Sequence, residues 1–177
     1  MPREIAVRMA EIHTAGPGET LVALGLGSCI AVCIYDPGNK IAGCAHVVLP
    51  DSTLARKEEP PGKFADTAVD GVIQALLAKG ASRTRLKAAI AGGGHVFNFS
   101  TQSTSKLDIG ERNASAVIAY LKLARIPLMA QDCGGPSGRT VHFFPDTGLI
   151  TVRTAASQPV ELVCLGSPLS AGLAKAA

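Results

Sequence analysis

Residues 24–36 read LGLGSCIAVCIYD, in which two glycines and a serine come directly before a cysteine and a run of apolar and β-branched residues. Glycine weakens a strand, because it costs backbone entropy and offers no side chain to pack. The stretch therefore predicts a backbone that turns sharply over Gly25 to Ser28 and enters a buried strand at Cys29. The small residues beside Cys29 also leave room for another molecule to approach its thiol.

A returning strand makes this segment half of a hairpin. Residues 36–40 read DPGNK, which is a strong turn signal, and the apolar run 41–49 ends before Pro50. A two-residue turn would pair Pro37 with Lys40, and a four-residue loop would pair Asp36 with Ile41. Both turns give the same register for the two strands.

That register brings a thiol and an imidazole together. Ala31 is expected opposite His46 and Cys29 opposite Val48, so Cys29 and His46 share a face, with Cα atoms about 7–8 Å apart. An imidazole that takes the thiol proton allows the thiolate to attack a carbonyl, and the amides of residues 27–29 could donate to the resulting oxyanion. The spacing leaves open a structural alternative, a buried cysteine and a core histidine bonded to a backbone carbonyl.

The remaining pattern predicts one α/β domain over residues 1–177, with roughly the last twenty residues weakly patterned. Strands are predicted at 4–9, 20–24, 29–35, 41–49, 86–91, 128–131, 141–144 and 149–154. Helices are predicted at 65–79 and 110–124 from their apolar spacing. Because several strands form hairpins, a mixed sheet is expected rather than a doubly wound parallel one.

Composition and charge argue against several classes of protein. Apolar residues make up 47% of the chain and charged residues 18%, which is typical of a globular domain. The net charge is +3 with scattered basic residues, so nucleic-acid binding has no support. The sequence shows no secretory signal and no run long enough to cross a membrane. We expect a cytoplasmic protein whose five cysteines are free thiols.

Other patterns are less specific. Cys29, Cys44 and His46 lack a fourth ligand at a suitable spacing for zinc, so no metal is expected. The run 92–94 is GGG without the Gly-Lys-Ser/Thr ending of a P-loop, which favours close backbone packing over phosphate binding. Ser28 is a rival nucleophile that should point away from His46.

Four glycine and serine positions complete the candidate site. Gly27 and Ser28 are expected to contribute oxyanion donors, and Gly92 and Gly93 are expected near the substrate cleft. Arg112, Asn113 and Arg139 are expected chiefly to hold neighbouring loops.

Six blocks occur in the order found in one known family. They are LGLGSC (24–29), AHVVLP (45–50), KFADTAV (63–69), IAGGG (90–94), IGERN (109–113) and DCGGPSGR (132–139). Together they resemble the chemoreceptor glutamine deamidases of bacterial and archaeal chemotaxis, the CheD-like proteins, over roughly residues 4–155. The resemblance implies a layered α/β sandwich with a mixed sheet, related to cysteine-dependent toxin deamidases.

The resemblance also implies an activity. Such proteins hydrolyse particular glutamine side chains on methyl-accepting chemotaxis receptors to glutamate and ammonia without a cofactor, and some are thought to hydrolyse receptor methyl esters. The family's nucleophile falls on Cys29 and its general base on His46. The implied partners are receptor cytoplasmic domains and a chemotaxis phosphatase of the CheC type.

Ala23 departs from the family pattern, which has a threonine there as the third catalytic residue. Alanine has no hydroxyl to orient an imidazole, and Thr20 should point to the other face of its strand. We expect a slower or differently tuned deamidase, with His46 held by a backbone carbonyl or a water molecule. The alternative is a weak or inactive binding module that docks on receptors or on the phosphatase. Cys133 stands where the family often has threonine, and a mild effect is expected.

Overall fold

Two five-stranded sheets and two α-helices make up the part of the chain that the computed structural model describes, residues 1–95 and 108–168. In spatial order, the first sheet contains β1 (Arg3–Ala6), β3 (Glu19–Leu26), β8 (Arg139–Phe144), β9 (Leu149–Arg153) and β10 (Val160–Cys164). The second contains β2 (Ile12–Ala15), β5 (Ile41–Val47), β4 (Ile30–Asp36), β6 (Lys87–Gly92) and β7 (Leu128–Cys133). The helices are α1 (Ala65–Ala78) and α2 (Ile109–Leu123). Residues 96–107 and 169–177 lie outside the described residues.

Both sheets are mixed. β1 runs parallel to β3 and β6 runs parallel to β7, whereas the other neighbouring strands are antiparallel. The predicted α/β class with a mixed sheet is confirmed.

Alternation along β4 separates the molecule into layers. Ala31 and Cys33 face the first sheet, in a core that also contains Phe143. Val32 and Ile34 face the other way, into the core shared with α1 and α2. The side chains that the second sheet turns toward the first are mostly small, which lets the two sheets pack closely around the larger residues of the first.

The predicted hairpin register is confirmed. Asp36 pairs with Ile41, so a four-residue loop joins the strands, and Ala31 pairs with His46. The expected pairing of Cys29 with Val48 is wrong, because the ladder ends one residue earlier, at Ile30 and Val47.

The early end of this ladder has a simple cause. The backbone N–H groups of Val48 and Leu49 both donate to the Lys63 carbonyl, at 2.9 Å each. The returning strand is therefore drawn toward the segment before α1, and Cys29 lies outside the ladder, directly before the first residue of β4.

The N-terminal strand is also shorter than predicted. It ends at Ala6, and the following residues leave the sheet through a turn in which Ala10 has φ +70°. Two short strands, β2 and β10, were absent from the sequence prediction. Both lie at sheet edges and lack the long apolar alternation that identifies a strand.

Asp36 fixes the closed end of the hairpin. Its carboxylate is fully buried and accepts four hydrogen bonds, from Gly38 N (2.8 Å), Ser82 N (2.8 Å) and Arg85 Nε and Nη2 (2.7 and 2.8 Å). Burial alone would raise the pKa of Asp36, but the Arg85 guanidinium and the two amides hold it below its ordinary value.

We expect Asp36→Ala to lower the free energy of unfolding by about 2–4 kcal/mol, because it removes a buried carboxylate that accepts four hydrogen bonds, two of them from a guanidinium. Urea denaturation followed by circular dichroism measures this. Since the pKa of Asp36 is depressed on folding, its stabilisation should be complete above the unfolded value of about 3.9 and lost as the pH falls through the folded value. The control is Arg3→Ala, which breaks an exposed pair with Glu19 and should cost under about 1 kcal/mol. Equal losses in the two variants would contradict the prediction.

Candidate active site

His46 is held from both sides by the segment that follows β1. Its backbone N–H donates to the Glu11 carbonyl at 3.1 Å, and its own carbonyl accepts from Ala10 N at 2.9 Å. The ring is 2% exposed, and Nδ1 lies 3.0 Å from the Val7 carbonyl oxygen. The imidazole is therefore fixed by main-chain groups that lie far away in sequence.

This contact determines which ring nitrogen carries the proton. The Val7 carbonyl can only accept, so Nδ1 of His46 must donate, and in the neutral ring Nε2 then carries the lone pair. Nε2 is buried and has no hydrogen-bond partner among residues 1–95 and 108–168. Burial lowers the pKa of His46, against the opposing effects of the Val7 carbonyl and the Glu11 carboxylate. The imidazole of His46 is thus neutral, and its Nε2 is available to accept a proton.

A backbone carbonyl orients the imidazole of His46, and position 23 has no threonine to do so. Ala23 is buried in the core between the sheets, opposite Val141. Its neighbour Val22 accepts a 2.8 Å hydrogen bond from Val7 N, and the carbonyl of Val7 in turn accepts from His46. Nδ1 of His46 is therefore bonded to a backbone carbonyl. This is one of the two orienting groups that the sequence left open.

Cys29 lies two residues before Ala31, the cross-strand partner of His46, and its side chain belongs to the core between the sheets. It is 8% exposed, and burial raises the pKa of its thiol. Thiol and imidazole are therefore both expected to be neutral in the resting protein. All five cysteines are free thiols.

Three successive carbonyls of the loop before and at Cys29 are hydrogen-bonded. Gly94 N donates to Gly27 O at 2.8 Å, Asn113 Nδ2 donates to Ser28 O at 2.9 Å, and Gly93 N donates to Cys29 O at 2.9 Å. The loop is thus fixed by the two residues that follow β6 and by helix α2.

The amides of the same loop are available. Within the described residues, no acceptor takes a hydrogen bond from the N–H of Gly27, Ser28 or Cys29. Three unpaired donors directly ahead of a thiol are suited to stabilising an oxyanion.

Gly92 and Gly93 have a packing role in this structure. Gly92 has φ +125°, and a Cβ there would collide with the Cys29 carbonyl. The N–H of Gly93 is already bonded to that carbonyl, so it is not available to an oxyanion. The structure thus has the close backbone packing that the sequence favours at these two glycines.

Arg139 fixes the neighbouring glycine-rich loop. Its guanidinium bonds both carboxylate oxygens of Asp132 at 3.2 Å each and also donates to the carbonyls of Gly134 (2.6 Å) and Gly92 (3.3 Å). Arg139 and Asn113 thus hold loops, as the sequence predicts.

An open groove of about 690 Å³ adjoins the loop on its exposed side. Its lining includes Gly25, Gly27, Arg139, Arg153 and Thr154. Cys29 and His46 are not in its lining, so the groove ends beside the site rather than containing it. The described residues hold no cluster of three or more His, Cys, Asp or Glu side chains that could bind a metal ion.

Comparison with known proteins gives the family. The family model described as "CheD chemotactic sensory transduction" matches residues 48–154. The chemoreceptor glutamine deamidase CheD of Halalkalibacterium halodurans is 43% identical over 159 residues, covering 89% of this chain and 98% of that protein. The chain belongs to the CheD family. A probable CheD of Symbiobacterium thermophilum is 45% identical over 159 residues, covering 89% of this chain and 96% of its own length.

A third relative and one solved structure complete the comparison. A probable chemoreceptor glutamine deamidase CheD of Lachnoclostridium phytofermentans is 42% identical over 154 residues, covering 87% of this chain and 95% of that protein. The crystal structure of the Bacillus licheniformis hypothetical protein YfiH is similar with a TM-score of 0.41 and 16% identity, covering 72% of this chain and 50% of that one. None of the helices in the described part of this CheD-family chain has the length and apolar character needed to cross a membrane.

Val7 was missed by sequence reasoning. Its contribution is a main-chain carbonyl, and no side-chain pattern could have indicated it. Only the pairing of Val7 N with Val22 O, which the parallel β1–β3 register sets up, brings that carbonyl to the ring.

We expect Ala23→Thr to change the rate of glutamine deamidation by less than about threefold, because the Val7 carbonyl already orients His46. The added hydroxyl should cost about 1–2 kcal/mol of stability, since position 23 is buried among apolar residues. Turnover and urea denaturation measure the two effects, and Ala15→Thr, at another buried alanine of the same core, controls for the added group. A gain of tenfold or more would show instead that the missing hydroxyl limits the enzyme.

A second prediction concerns the resting thiol. Alkylation of Cys29 by iodoacetamide should increase with pH, with its midpoint above the ordinary thiol value of about 8.5, because burial raises its pKa. Tandem mass spectrometry assigns the label to Cys29 rather than to Cys33, which lies four residues later on the same peptide. A midpoint below pH 7 would reveal a standing thiolate–imidazolium pair and would contradict the neutral resting state.

Proposed function

We propose that this chain is a protein-glutamine deamidase that hydrolyses side-chain amides on methyl-accepting chemotaxis receptors, with Cys29 as nucleophile and His46 as general base. The observation that carries the proposal is the orientation of His46. Nδ1 donates to the Val7 carbonyl and leaves the lone pair of Nε2 free, on the hairpin that also leads to Cys29. Membership of the CheD family supports the choice of substrate.

Acylation begins with proton transfer from the Cys29 thiol to Nε2 of His46 as the sulfur attacks Cδ of the glutamine side chain. The carbonyl oxygen becomes an oxyanion, which the amides of residues 27–29 stabilise by hydrogen bonding. Protonated His46 then gives its proton to the leaving nitrogen. The C–N bond breaks, ammonia departs, and a thioester to Cys29 remains.

Hydrolysis of the thioester uses the same groups. His46 removes a proton from a water molecule that attacks the thioester carbonyl, and the amides of residues 27–29 again stabilise the oxyanion. Collapse breaks the C–S bond, releases glutamate and returns the proton to Cys29. A receptor methyl ester would follow the same path with methanol as the leaving group, so ester hydrolysis is included in the proposal.

The neutral resting pair suits this mechanism. Burial disfavours a standing thiolate and imidazolium, so charge develops mainly when a carbonyl occupies the site. The unpaired amides of the loop would stabilise that charge at the position where it forms.

The groove beside the loop is the proposed path of the substrate chain. It reaches Gly25 and Gly27, so a segment bound there would bring a neighbouring glutamine to the amides ahead of Cys29. Arg153 lines the groove and makes no ion pair within the described residues. We place the activity in the cytoplasm, on receptor cytoplasmic domains, and a CheC-type phosphatase is the proposed second partner.

The test is incubation with the cytoplasmic domain of a cognate receptor, followed by peptide mass spectrometry for glutamine converted to glutamate. We expect conversion by the wild-type protein, none with Cys29→Ala, and a loss of at least about 100-fold with His46→Ala, since general-base catalysis contributes 10²–10⁴. Cys164→Ala, which removes a thiol on the edge strand β10, should retain full activity.

The outcomes separate two functions. Conversion that Cys29→Ala abolishes supports the deamidase. Receptor binding without conversion would overturn it in favour of a binding module that kept the docking surface and lost the chemistry.

A further inference from the structure

Asn113 joins the two halves of the site. It lies in the first turns of α2, is fully buried, and uses its side-chain amide to donate to Ser28 O and to Val48 O, both at 2.9 Å. Ser28 precedes the nucleophile, and Val48 follows His46 by two residues. One amide group therefore bridges the nucleophile loop and the end of the strand that carries the base.

We propose that Asn113 is a positioning residue that aims the backbone N–H of Cys29 at the oxyanion. This inference rests on the proposed deamidase function, whose site it completes. Asn113 does not touch the reacting atoms; it acts through the peptide bond between Ser28 and Cys29.

The direction of the Cys29 N–H follows from the geometry of the peptide bond that precedes it. In a planar trans peptide, the C=O of one residue and the N–H of the next point in opposite directions. Asn113 Nδ2 fixes the direction of the Ser28 carbonyl, so it also fixes the direction of the Cys29 N–H. That N–H has no acceptor within the described residues, as an oxyanion donor requires.

The neighbouring peptide bonds are fixed in the same way by main-chain groups. Gly94 N holds the Gly27 carbonyl and Gly93 N holds the Cys29 carbonyl. Only the peptide bond between Ser28 and Cys29 is held by a side chain. Its orientation alone can therefore be changed by mutation without altering the backbone that holds the other two.

Packing alone does not account for an asparagine at position 113. Its Oδ1 is buried without a hydrogen-bond partner within the described part of the chain, and such atoms reduce stability. Val117 and Leu121, on the same helix, already bury apolar side chains in the core beneath the second sheet. A donor at position 113 is explained by the two carbonyls it holds.

The test compares Asn113→Leu and Asn113→Ala with the wild-type chain in the receptor deamidation assay. Leucine keeps the branched shape but removes both donors. We expect kcat to fall at least about 30-fold in both variants, since loss of a single oxyanion donor costs 10²–10³. KM should change by less than about threefold, and the rate of Cys29 alkylation by iodoacetamide should stay within about threefold, because thiol and imidazole remain in place.

Val117→Ala is the matched control. It removes buried apolar volume from the next turn of α2 and leaves the hydrogen bonds to Ser28 O and Val48 O in place, so it should lower stability and leave kcat nearly unchanged. If Asn113→Leu keeps wild-type kcat, the inference is overturned. It is equally overturned if Val117→Ala loses as much kcat as Asn113→Leu, because the effect then follows stability.

If the wild-type chain converts no glutamine, the proposed function fails, but the role of Asn113 is still open to a second measurement. A receptor peptide with an aldehyde in place of the glutamine amide adds reversibly to the Cys29 thiol and forms a tetrahedral adduct that needs the same amides. We expect its affinity to fall at least about tenfold in Asn113→Leu and to be retained in Val117→Ala. Unchanged affinity in Asn113→Leu would overturn the role of Asn113.

Discussion

The register of the β4–β5 hairpin is the constraint on which the site depends. Side chains alternate along a strand, so a slip of one residue would turn His46 from the core between the sheets toward the helices and separate it from Cys29. The four-residue turn sets that register, and the buried Asp36 carboxylate holds the turn by bonding Gly38 and Arg85. An interaction at one end of the hairpin thereby helps to fix the placement of His46 opposite Ala31 at the other end.

Burial gives the site its electrostatic character. A solvent-exposed cysteine and histidine would be easy to ionise, but here desolvation raises the pKa of Cys29 and lowers that of His46. The protein compensates with oriented dipoles rather than with charges, through the Val7 carbonyl behind the imidazole and the unpaired amides ahead of the thiol. In the proposed mechanism this arrangement would stabilise charge where a bound carbonyl develops it, while the thiol and the imidazole stay neutral until then.

The parts of this structure that could be predicted from the sequence are those encoded by short-range patterns. The turn residues and the alternation around them were enough to give the Ala31–His46 pairing, and apolar spacing was enough for both helices. The expected Cys29–Val48 pair was wrong because Lys63, distant in sequence, takes the N–H of Val48. The sequence left a backbone carbonyl as one candidate to orient His46, but it could not point to Val7, because a main-chain carbonyl has no sequence signature.

The lack of a hydroxyl at position 23 becomes understandable on the same grounds. A catalytic hydroxyl can be lost by one substitution, whereas a backbone carbonyl can be displaced only by moving the chain that carries it. Here that chain is the segment 7–11, and it is confined by contacts that tolerate no side chain: a Cβ at Gly62 would collide with the carbonyl of Ala10. A Cβ at Gly92 would collide in the same way with the carbonyl of Cys29. Close glycine packing thus holds the main-chain groups beside Cys29 and beside His46, and the Asn113 side chain joins the loop before Cys29 to the end of the strand that carries His46.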